Sequence, residues 1–210
     1  MPDATHFTLF LGAAFLLAIT PGPGLLYVLA RSLAGGRREG SLSSLGTFVG
    51  GIVHVFAAAL GLSAILATSA VAFSVVKYAG AAYLVYLGIR MIWSRSVTMA
   101  DEATKPAGNS FRQGIWTEVL NPKTALFFLA FVPQFVSPAR GHVFLQFVVL
   151  GGLSVVLNTS ADLVVAAFAD AISEKLKRNP RLQTKQRLAS GVGMIGLGVY
   201  VGCSGTAGTD

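Results

Sequence analysis

The sequence predicts an all-α integral membrane protein with six transmembrane helices in two inverted three-helix halves, each with a broken first helix. Three observations lead to this expectation: the composition, long runs without charged residues, and the distribution of Lys and Arg between these runs. Hydrophobic residues make up 53% of the 210 residues, and Asp, Glu, Lys and Arg make up only 12%. Soluble domains have about 25% charged residues, so this chain has too little charge to cover a water-facing surface.

Six segments of low charge are long enough to cross a lipid bilayer as helices. A hydrocarbon core of about 30 Å requires about 20 apolar residues, because an α-helix rises about 1.5 Å per residue. The expected spans are about residues 7–31, 41–67, 70–92, 112–136, 143–172 and 188–204. A chain of 210 residues cannot hide six such helices inside a water-soluble fold.

Lys and Arg are concentrated in alternate loops, and this distribution predicts the orientation in the membrane. Thirteen of the 16 Lys and Arg lie in the loops after spans 1, 3 and 5, whereas only Lys77 and Arg140 lie in the opposite loops. Because basic loops remain in the cytoplasm, both termini are expected outside. The same distribution argues against nucleic-acid binding despite a net charge of +7, since the basic loops face anionic lipid headgroups.

The two halves are interrupted at corresponding places. The chain is expected to form a single transmembrane domain over residues 1–210, with halves at about 7–93 and 112–204 and a cytoplasmic loop at 94–111. The first span of one half contains Thr20-Pro21-Gly22-Pro23-Gly24, and that of the other contains Asn121-Pro122-Lys123. Counted from Arg31 and Arg112 at the cytoplasmic edge, both interruptions lie about 14–15 Å deep, near the middle of the bilayer.

Such interruptions have a chemical consequence inside a membrane. Proline lacks an N–H group and collides with the preceding helical turn, and the freed backbone groups are tolerated only where protein or a wet cavity satisfies them. Paired interruptions are the best sequence indication of a transporter's central site, with simple kinks as the alternative. The predicted substrate-binding residues are Pro21, Gly22, Pro23, Gly24, Asn121, Pro122, Lys123, Thr124 and Asn158.

The sequence resembles the LysE/RhtB family of bacterial amino-acid exporters. The match rests on TPGPG at 20–24, KYAGAAYLVYLGIRMI at 77–92 and NPKTALFFLAFVPQFV at 121–136, and it extends over about residues 7–204. The resemblance implies a multi-pass carrier of the bacterial cytoplasmic (inner) membrane that exports amino acids or close analogues. It also implies that the proton gradient drives this export, and it leaves the substrate open.

A small amphoteric solute is expected to bind at mid-membrane between the two broken helices. Its carboxylate would face N–H groups at residues 22–24 and 123–124, and its amine would face Asn158, Asp162 or freed carbonyl groups. The ammonium of Lys123 would attract the carboxylate, unless its long side chain extends toward the cytoplasm. Rocking of the two halves would then deliver the solute outward.

A proton-driven exporter needs a group that binds and releases a proton in each cycle. Asp162 is taken as the only acid well inside a span, and His54 lies in the middle of span 2, so both are expected to couple protons to transport. A carboxylate at that depth must be protonated, paired or beside a wet cavity. The structural alternatives are a pair between Asp162 and Lys123 and an interhelical hydrogen bond of His54. Glu118 is expected near the inner surface, gating access or pairing with Arg112.

One position departs from the family pattern. Similar proteins have an Asp near the centre of span 5, whereas alignment through VLGG at 149–152 places Asn158 there. Asp162 follows one helical turn later on the same face. The acidic role has therefore either moved to Asp162 or been lost.

Three other function classes fit the sequence less well. A metal or other inorganic ion exporter on a related six-helix scaffold would need several buried carboxylates, His or Cys, and one Asp with one His is too few. An intramembrane protease would need a matched Ser–His pair, for which Ser154 with His54 is the sole candidate. A channel or structural subunit would not need broken helices. No enzymatic activity, cofactor or metal site is therefore expected, and a homo-oligomer remains open.

The expected orientation can be tested by cysteine labelling in intact cells. In a Cys203→Ser background, Lys105→Cys and Lys177→Cys should resist a membrane-impermeant reagent, because basic loops remain in the cytoplasm. A cysteine placed in the C-terminal tail should react. Strong labelling at position 105 would contradict the orientation, and the inverted repeat with it.

Overall fold

The described part of the chain is helical throughout. The structure is a computed structural model that describes residues 4–93 and 109–203, and no β-strand occurs in these ranges. The helices are α1 (Ala4–Ile19), α2 (Pro23–Thr68), α3 (Ala70–Trp93), α4 (Ser110–Val119), α5 (Pro122–Leu126), α6 (Val143–Ala167), α7 (Ala169–Arg178) and α8 (Pro180–Cys203). A π-helical segment (Phe127–Phe131) and two 3-10 turns (Val132–Phe135 and Pro138–Arg140) continue from α5.

Several of these helices have the length and composition of membrane spans. Three stretches are long and apolar enough to cross a bilayer, namely Pro23–Gly61, Ser74–Trp93 and Val143–Ala167, and Thr5–Ile19 and Leu188–Cys203 are shorter apolar helices. The prediction of an all-helical membrane protein is therefore confirmed for the described residues. The count of six spans and the inverted repeat stay predictions.

Both predicted helix interruptions are present. α1 ends at Ile19 and α2 begins at Pro23, while α4 ends at Val119 and α5 begins at Pro122. Proline is favourable at the first position of a helix. An N–H group at that position would have no acceptor within the helix, so proline loses no hydrogen bond there, and its φ angle already suits the helix. Pro23 and Pro122 therefore each begin the helix that follows an interruption.

Two expected boundaries are wrong. The loop expected after residue 31 is reduced to one non-helical position within α2, Gly36, whose φ of 75° and ψ of −173° suit a residue without a Cβ atom. The expected span at 143–172 ends earlier, because α6 stops at Ala167 and α7 begins after Phe168. The expected span at 188–204 agrees with the apolar part of α8, Leu188–Cys203, although the helix itself begins earlier, at Pro180, and includes basic residues in its first turns.

α2 lies at the centre of the molecule and packs along α4 and α6, while α3 packs along α8. Glycines allow the closest of these contacts. A Cβ atom on Gly114 of α4 would lie 2.6 Å from the carbonyl oxygen of Ser43 and 3.2 Å from Cα of Gly46, both in α2. Small residues bring helix backbones together in membranes, where packing drives association. The contact fixes α4, and with it the helix interruption that follows, against α2.

Aromatic rings hold α1 against the segment that follows α5. The rings of Phe127 and Phe131 are 5.0 Å apart, and those of Phe131 and Phe135 are 4.8 Å apart. Phe10 of α1 lies edge-on to Phe135 at 5.3 Å. Such ring pairs add to the stabilisation from burial, so α1 is anchored beside the second interruption.

The glycine contact between α2 and α4 can be tested by adding one methyl group. We expect Gly114→Ala to lower the melting temperature of the purified protein, because the methyl group would collide with backbone atoms of α2. Overpacking of this kind destabilises a protein by about 1–3 kcal/mol. Thermal unfolding in detergent measures the change.

Gly152→Ala is the matched control for this experiment. No atom lies within 4 Å of a Cβ atom placed on Gly152, and alanine is the better helix former, so its melting temperature should stay the same or rise. Equal melting temperatures for Gly114→Ala and the wild type would contradict the close contact.

Candidate functional site

The two helix interruptions are joined by the side chain of Lys123. Its Nζ atom donates hydrogen bonds to the carbonyl oxygens of Leu17, at 2.9 Å, and Thr20, at 2.8 Å. The regular helical donor to the Leu17 carbonyl would be the N–H of residue 21, which is proline and has none. These carbonyls also lie at the negative end of the α1 dipole. The ammonium of Lys123 therefore caps α1 from within the protein, instead of extending toward the cytoplasm.

The glycines of the first interruption make room for charged side chains of the second. A Cβ atom on Gly22 would lie 3.1–3.2 Å from Cδ, Cε and Nζ of Lys123. A Cβ atom on Gly24 would collide with the carboxylate of Glu118. Residues without side chains are needed here because ionic groups of the other interruption occupy the space.

Glu118 is buried at the second interruption and held by two neutral donors. Its carboxylate accepts hydrogen bonds from Nδ2 of Asn121, at 3.0 Å, and from Oγ1 of Thr124, at 2.6 Å. Asn121 also caps α5, since its Oδ1 accepts a hydrogen bond from the backbone N–H of Lys123 at 3.1 Å. One asparagine therefore both begins α5 and positions the carboxylate.

The placement of Glu118 corrects two expectations. It was expected near the inner surface or paired with Arg112, yet it is only 2% exposed, because α4 ends one residue later and the interruption supplies its hydrogen-bond donors. Asp162, expected as the only acid well inside a span, is therefore not the only buried acid among the described residues. The N–H of Lys123, expected to face a substrate carboxylate, is bound by Asn121 instead.

Asp162 is fully buried and only partly satisfied. Its Oδ2 lies 2.8 Å from Oγ1 of Thr47, and its Oδ1 has no hydrogen-bond partner among the described residues. Thr47 Oγ1 is also 2.9 Å from the carbonyl oxygen of Ser44. A hydroxyl group has one proton to donate, so Thr47 can donate a hydrogen bond to Asp162 or to the carbonyl of Ser44, but not to both at once. A buried carboxylate without full hydrogen bonding is unfavourable.

His54 makes the interhelical hydrogen bond that was the structural alternative for it. Its Nε2 lies 2.9 Å from the backbone carbonyl oxygen of Glu118, and a carbonyl can only accept, so Nε2 carries a proton. The imidazole also stacks on the ring of Phe128, with 6.1 Å between the ring centres. His54 therefore links α2 to the end of α4, and its role in proton coupling stays a prediction.

A small cavity lies between these groups. Its walls are formed by Leu17, Thr47, Gly51, Glu118, Thr124, Phe127, Phe128, Ser154, Val155 and Asn158. The volume is about 20 Å³, which is enough for about one water molecule. A larger ligand can enter only if the surrounding helices separate.

The structure brings most of the predicted site residues together. Two of them, Thr124 and Asn158, line the cavity. Four others are buried beside it and are joined by the contacts of Lys123 and Glu118 described above: Gly22, Gly24, Asn121 and Lys123. Pro21 is half-buried. Pro23 and Pro122 are exposed, and their contact with a ligand stays a prediction. Each lies at the first position of a helix, where it shapes the interruption from outside.

Sequence reasoning missed three polar residues of the cavity. Glu118 lies three residues before Asn121, which places both side chains on one face at the end of α4, and this spacing was the available signal. Thr47 and Ser154 carry no comparable signal, because serine and threonine in membrane helices commonly bond to their own backbone. Ser154 does this with Leu150, at 3.1 Å.

Two of the alternative sites find no counterpart in the described residues. The hydroxyl of Ser154 donates to the carbonyl of Leu150 and the imidazole of His54 to that of Glu118, so a Ser–His pair is not formed. In residues 4–93 and 109–203 no group of three or more His, Cys, Asp or Glu is placed to hold a metal ion.

Comparisons with known proteins identify the family of this chain. Residues 11–205 match the family of LysE type translocators. A leucine efflux protein of Enterobacter sp. (strain 638) is 30% identical over 201 residues, covering 94% of this chain and 92% of that protein. A leucine efflux protein of Salmonella choleraesuis (strain SC-B67) is 32% identical over 148 residues, 69% of each chain.

An uncharacterized membrane protein of Bacillus subtilis (strain 168) is 29% identical over 206 residues, covering 93% of this chain and 97% of that protein. No solved structure gives a significant match. The family match includes both helix interruptions and all the residues that surround the cavity. The chain therefore belongs to the family of LysE type translocators, as its motifs predicted.

Proposed function

We propose that this protein exports amino acids across the bacterial cytoplasmic membrane. One observation carries the proposal: two helix interruptions meet at a buried cavity that has both charged and apolar walls. Interrupted helices offer backbone N–H and carbonyl groups to the charged ends of a small solute. The family of translocators and the two leucine efflux relatives support the same conclusion.

The walls of the cavity fit an amino acid with an aliphatic side chain. Glu118, Asn158 and Thr47 offer polar groups to the charged ends of a zwitterion, while Phe127 and Val155 belong to the apolar wall. Apolar surface favours an apolar side chain, because burial removes that chain from water. Leucine is therefore the first candidate substrate, in agreement with the names of two relatives.

The transport cycle that we infer uses six spans in two inverted halves, with both termini outside. Residues 23–35 would complete the first span, and Gly36 would mark the cytoplasmic end at which α2 turns into the second span. The cavity is too small for leucine in this structure, so binding requires the two interrupted helices to separate. Alternating separation toward each side of the membrane would carry the substrate outward.

Asp162 is the group that we propose for proton coupling. If it is ionised, Thr47 donates to Asp162, and Oδ1 still lacks a donor among the described residues. If it is protonated, Asp162 can donate to Thr47, and Thr47 is free to donate to the carbonyl of Ser44. The same three groups therefore accommodate both protonation states. His54 is the second proposed group, because its other ring nitrogen, Nδ1, can accept a proton while Nε2 donates to the peptide carbonyl of Glu118.

The proposed export can be tested by efflux of a panel of labelled amino acids from vesicles that contain the purified protein. We expect efflux of leucine and similar neutral amino acids. Asn121→Ala should reduce the initial rate about tenfold or more, because it removes a donor from buried Glu118 and the cap of α5. Pro138→Ala, outside the site, is the control and should transport normally. Efflux of none of the panel by the wild type would contradict the proposal.

The coupling role of Asp162 makes a different prediction. Asp162→Asn keeps the size and the hydrogen bonding of the side chain but cannot carry the proton. We expect this variant to exchange leucine down its gradient, yet to show no uphill accumulation when a pH gradient is imposed on the vesicles. The measurement compares accumulation with and without that gradient, and His54→Gln is measured in parallel.

Asp170→Asn is the matched control, because Asp170 is an exposed acid on α7. It should accumulate leucine like the wild type. If Asp162→Asn also accumulates leucine like the wild type, Asp162 is a packing residue and the proton is carried elsewhere.

A further inference from the structure

The ammonium of Lys123 is held as a bound amine would be held. It lies 2.9 Å and 2.8 Å from the carbonyl oxygens of Leu17 and Thr20, and the side chain is only 6% exposed. Carbonyl groups at the end of a helix attract cations because the helix dipole is negative there. The end of α1 is therefore an ammonium site that the protein fills with its own side chain.

This ammonium site adjoins the cavity. Leu17 supplies one of the two carbonyl groups and also lines the cavity, as does Thr124, the neighbour of Lys123 in α5. Glu118 also lines the cavity. An ammonium group that arrived through the cavity would pass this residue and reach the same two carbonyl groups.

Displacement of Lys123 from this position would require a flexible side chain. Its side chain is a flexible chain of four carbons with a single charged end. This chain runs past Gly22, which has no Cβ atom beside Cδ, Cε and Nζ of Lys123. The ammonium, once displaced, would need an anion, because a buried charge without a partner is strongly unfavourable. A substrate that brings a carboxylate together with its amine supplies that anion.

We propose that Lys123 occupies the substrate's ammonium subsite in the empty carrier. On binding, the ammonium of the amino acid takes the carbonyl oxygens of Leu17 and Thr20, and the displaced Lys123 pairs with the substrate carboxylate. This proposal rests on the proposed export of amino acids and specifies how the site recognises them. It also gives Lys123 a specificity-determining role. An amine alone brings no carboxylate for the displaced Lys123, while that of Glu118 is already held by Asn121 and Thr124, and an acid alone cannot replace Lys123 at the carbonyls.

Three probes separate these requirements. Leucine carries both charged groups, 3-methylbutylamine is leucine without the carboxylate, and 4-methylpentanoate is leucine without the ammonium. Binding of each probe to the purified full-length protein is measured by the rise in melting temperature with probe concentration, because a ligand that binds the folded state stabilises it. The wild type should bind leucine more tightly than either analogue.

The informative variants are Lys123→Met and Lys123→Gln. Both remove the cation, so leucine should bind about tenfold more weakly or worse, which is the usual loss for a hydrogen-bonded ionic contact. 3-Methylbutylamine should bind as well as before or more tightly, because Lys123 no longer competes for the carbonyls. The preference for leucine over the amine is therefore lost or reversed. Lys123→Gln retains an N–H donor to cap α1 if Lys123→Met does not fold.

Lys77→Met is the matched control, because Lys77 is also a buried lysine, 1% exposed, but belongs to α3 and does not line the cavity. It should keep the wild-type preference for leucine over the amine. If both Lys123 variants keep the wild-type ratio of the affinities for leucine and 3-methylbutylamine, Lys123 is only a cap of α1 and the proposed displacement is contradicted. If the wild type neither binds nor exports leucine or any other amino acid of the efflux panel, the proposed function itself fails.

Discussion

Backbone groups freed by a helix interruption must find partners inside a membrane, and this constraint organises the whole site. Water cannot satisfy such groups in the hydrocarbon core. Here a lysine of one interruption satisfies carbonyls of the other, since Nζ of Lys123 binds the carbonyls of Leu17 and Thr20. Asn121 does the same for the N-terminus of α5. The two interruptions are therefore mutually dependent, and a change at either one reaches the other.

The rest of the fold keeps these interruptions in contact. The glycine contact between α2 and α4 fixes the helix that ends at Glu118, and the ring cluster of Phe10, Phe131 and Phe135 fixes α1. Neither contact lines the cavity, although the helices that make these contacts also supply cavity residues. A site of this kind needs rigid support, because small displacements change the strength of charged hydrogen bonds.

The sequence was sufficient to predict the helical membrane fold and both interruptions, because proline and charge-free runs act locally and leave a direct trace in the sequence. It could not predict the partners of Lys123 or the burial of Glu118. These depend on the approach of α1 to α5, two segments about a hundred residues apart in the chain, and no local pattern encodes that approach. The turn at Gly36 was missed for a related reason: a single glycine replaces a whole loop.

The hydrogen bonds of the empty site also bear on the proposed role of a proton in the transport cycle. With no substrate present, Lys123 is bound by two carbonyls, and Glu118 is bound by Asn121 and Thr124. Neither charged side chain therefore hinders closure of the helices around the cavity. Asp162 differs, because its Oδ1 has no partner among the described residues. Closing the helices around an ionised carboxylate in this state is unfavourable, whereas a protonated one can donate to Thr47. In the proposed cycle, the empty carrier would therefore return most readily with a proton, and this requirement would couple the proposed export to the proton gradient.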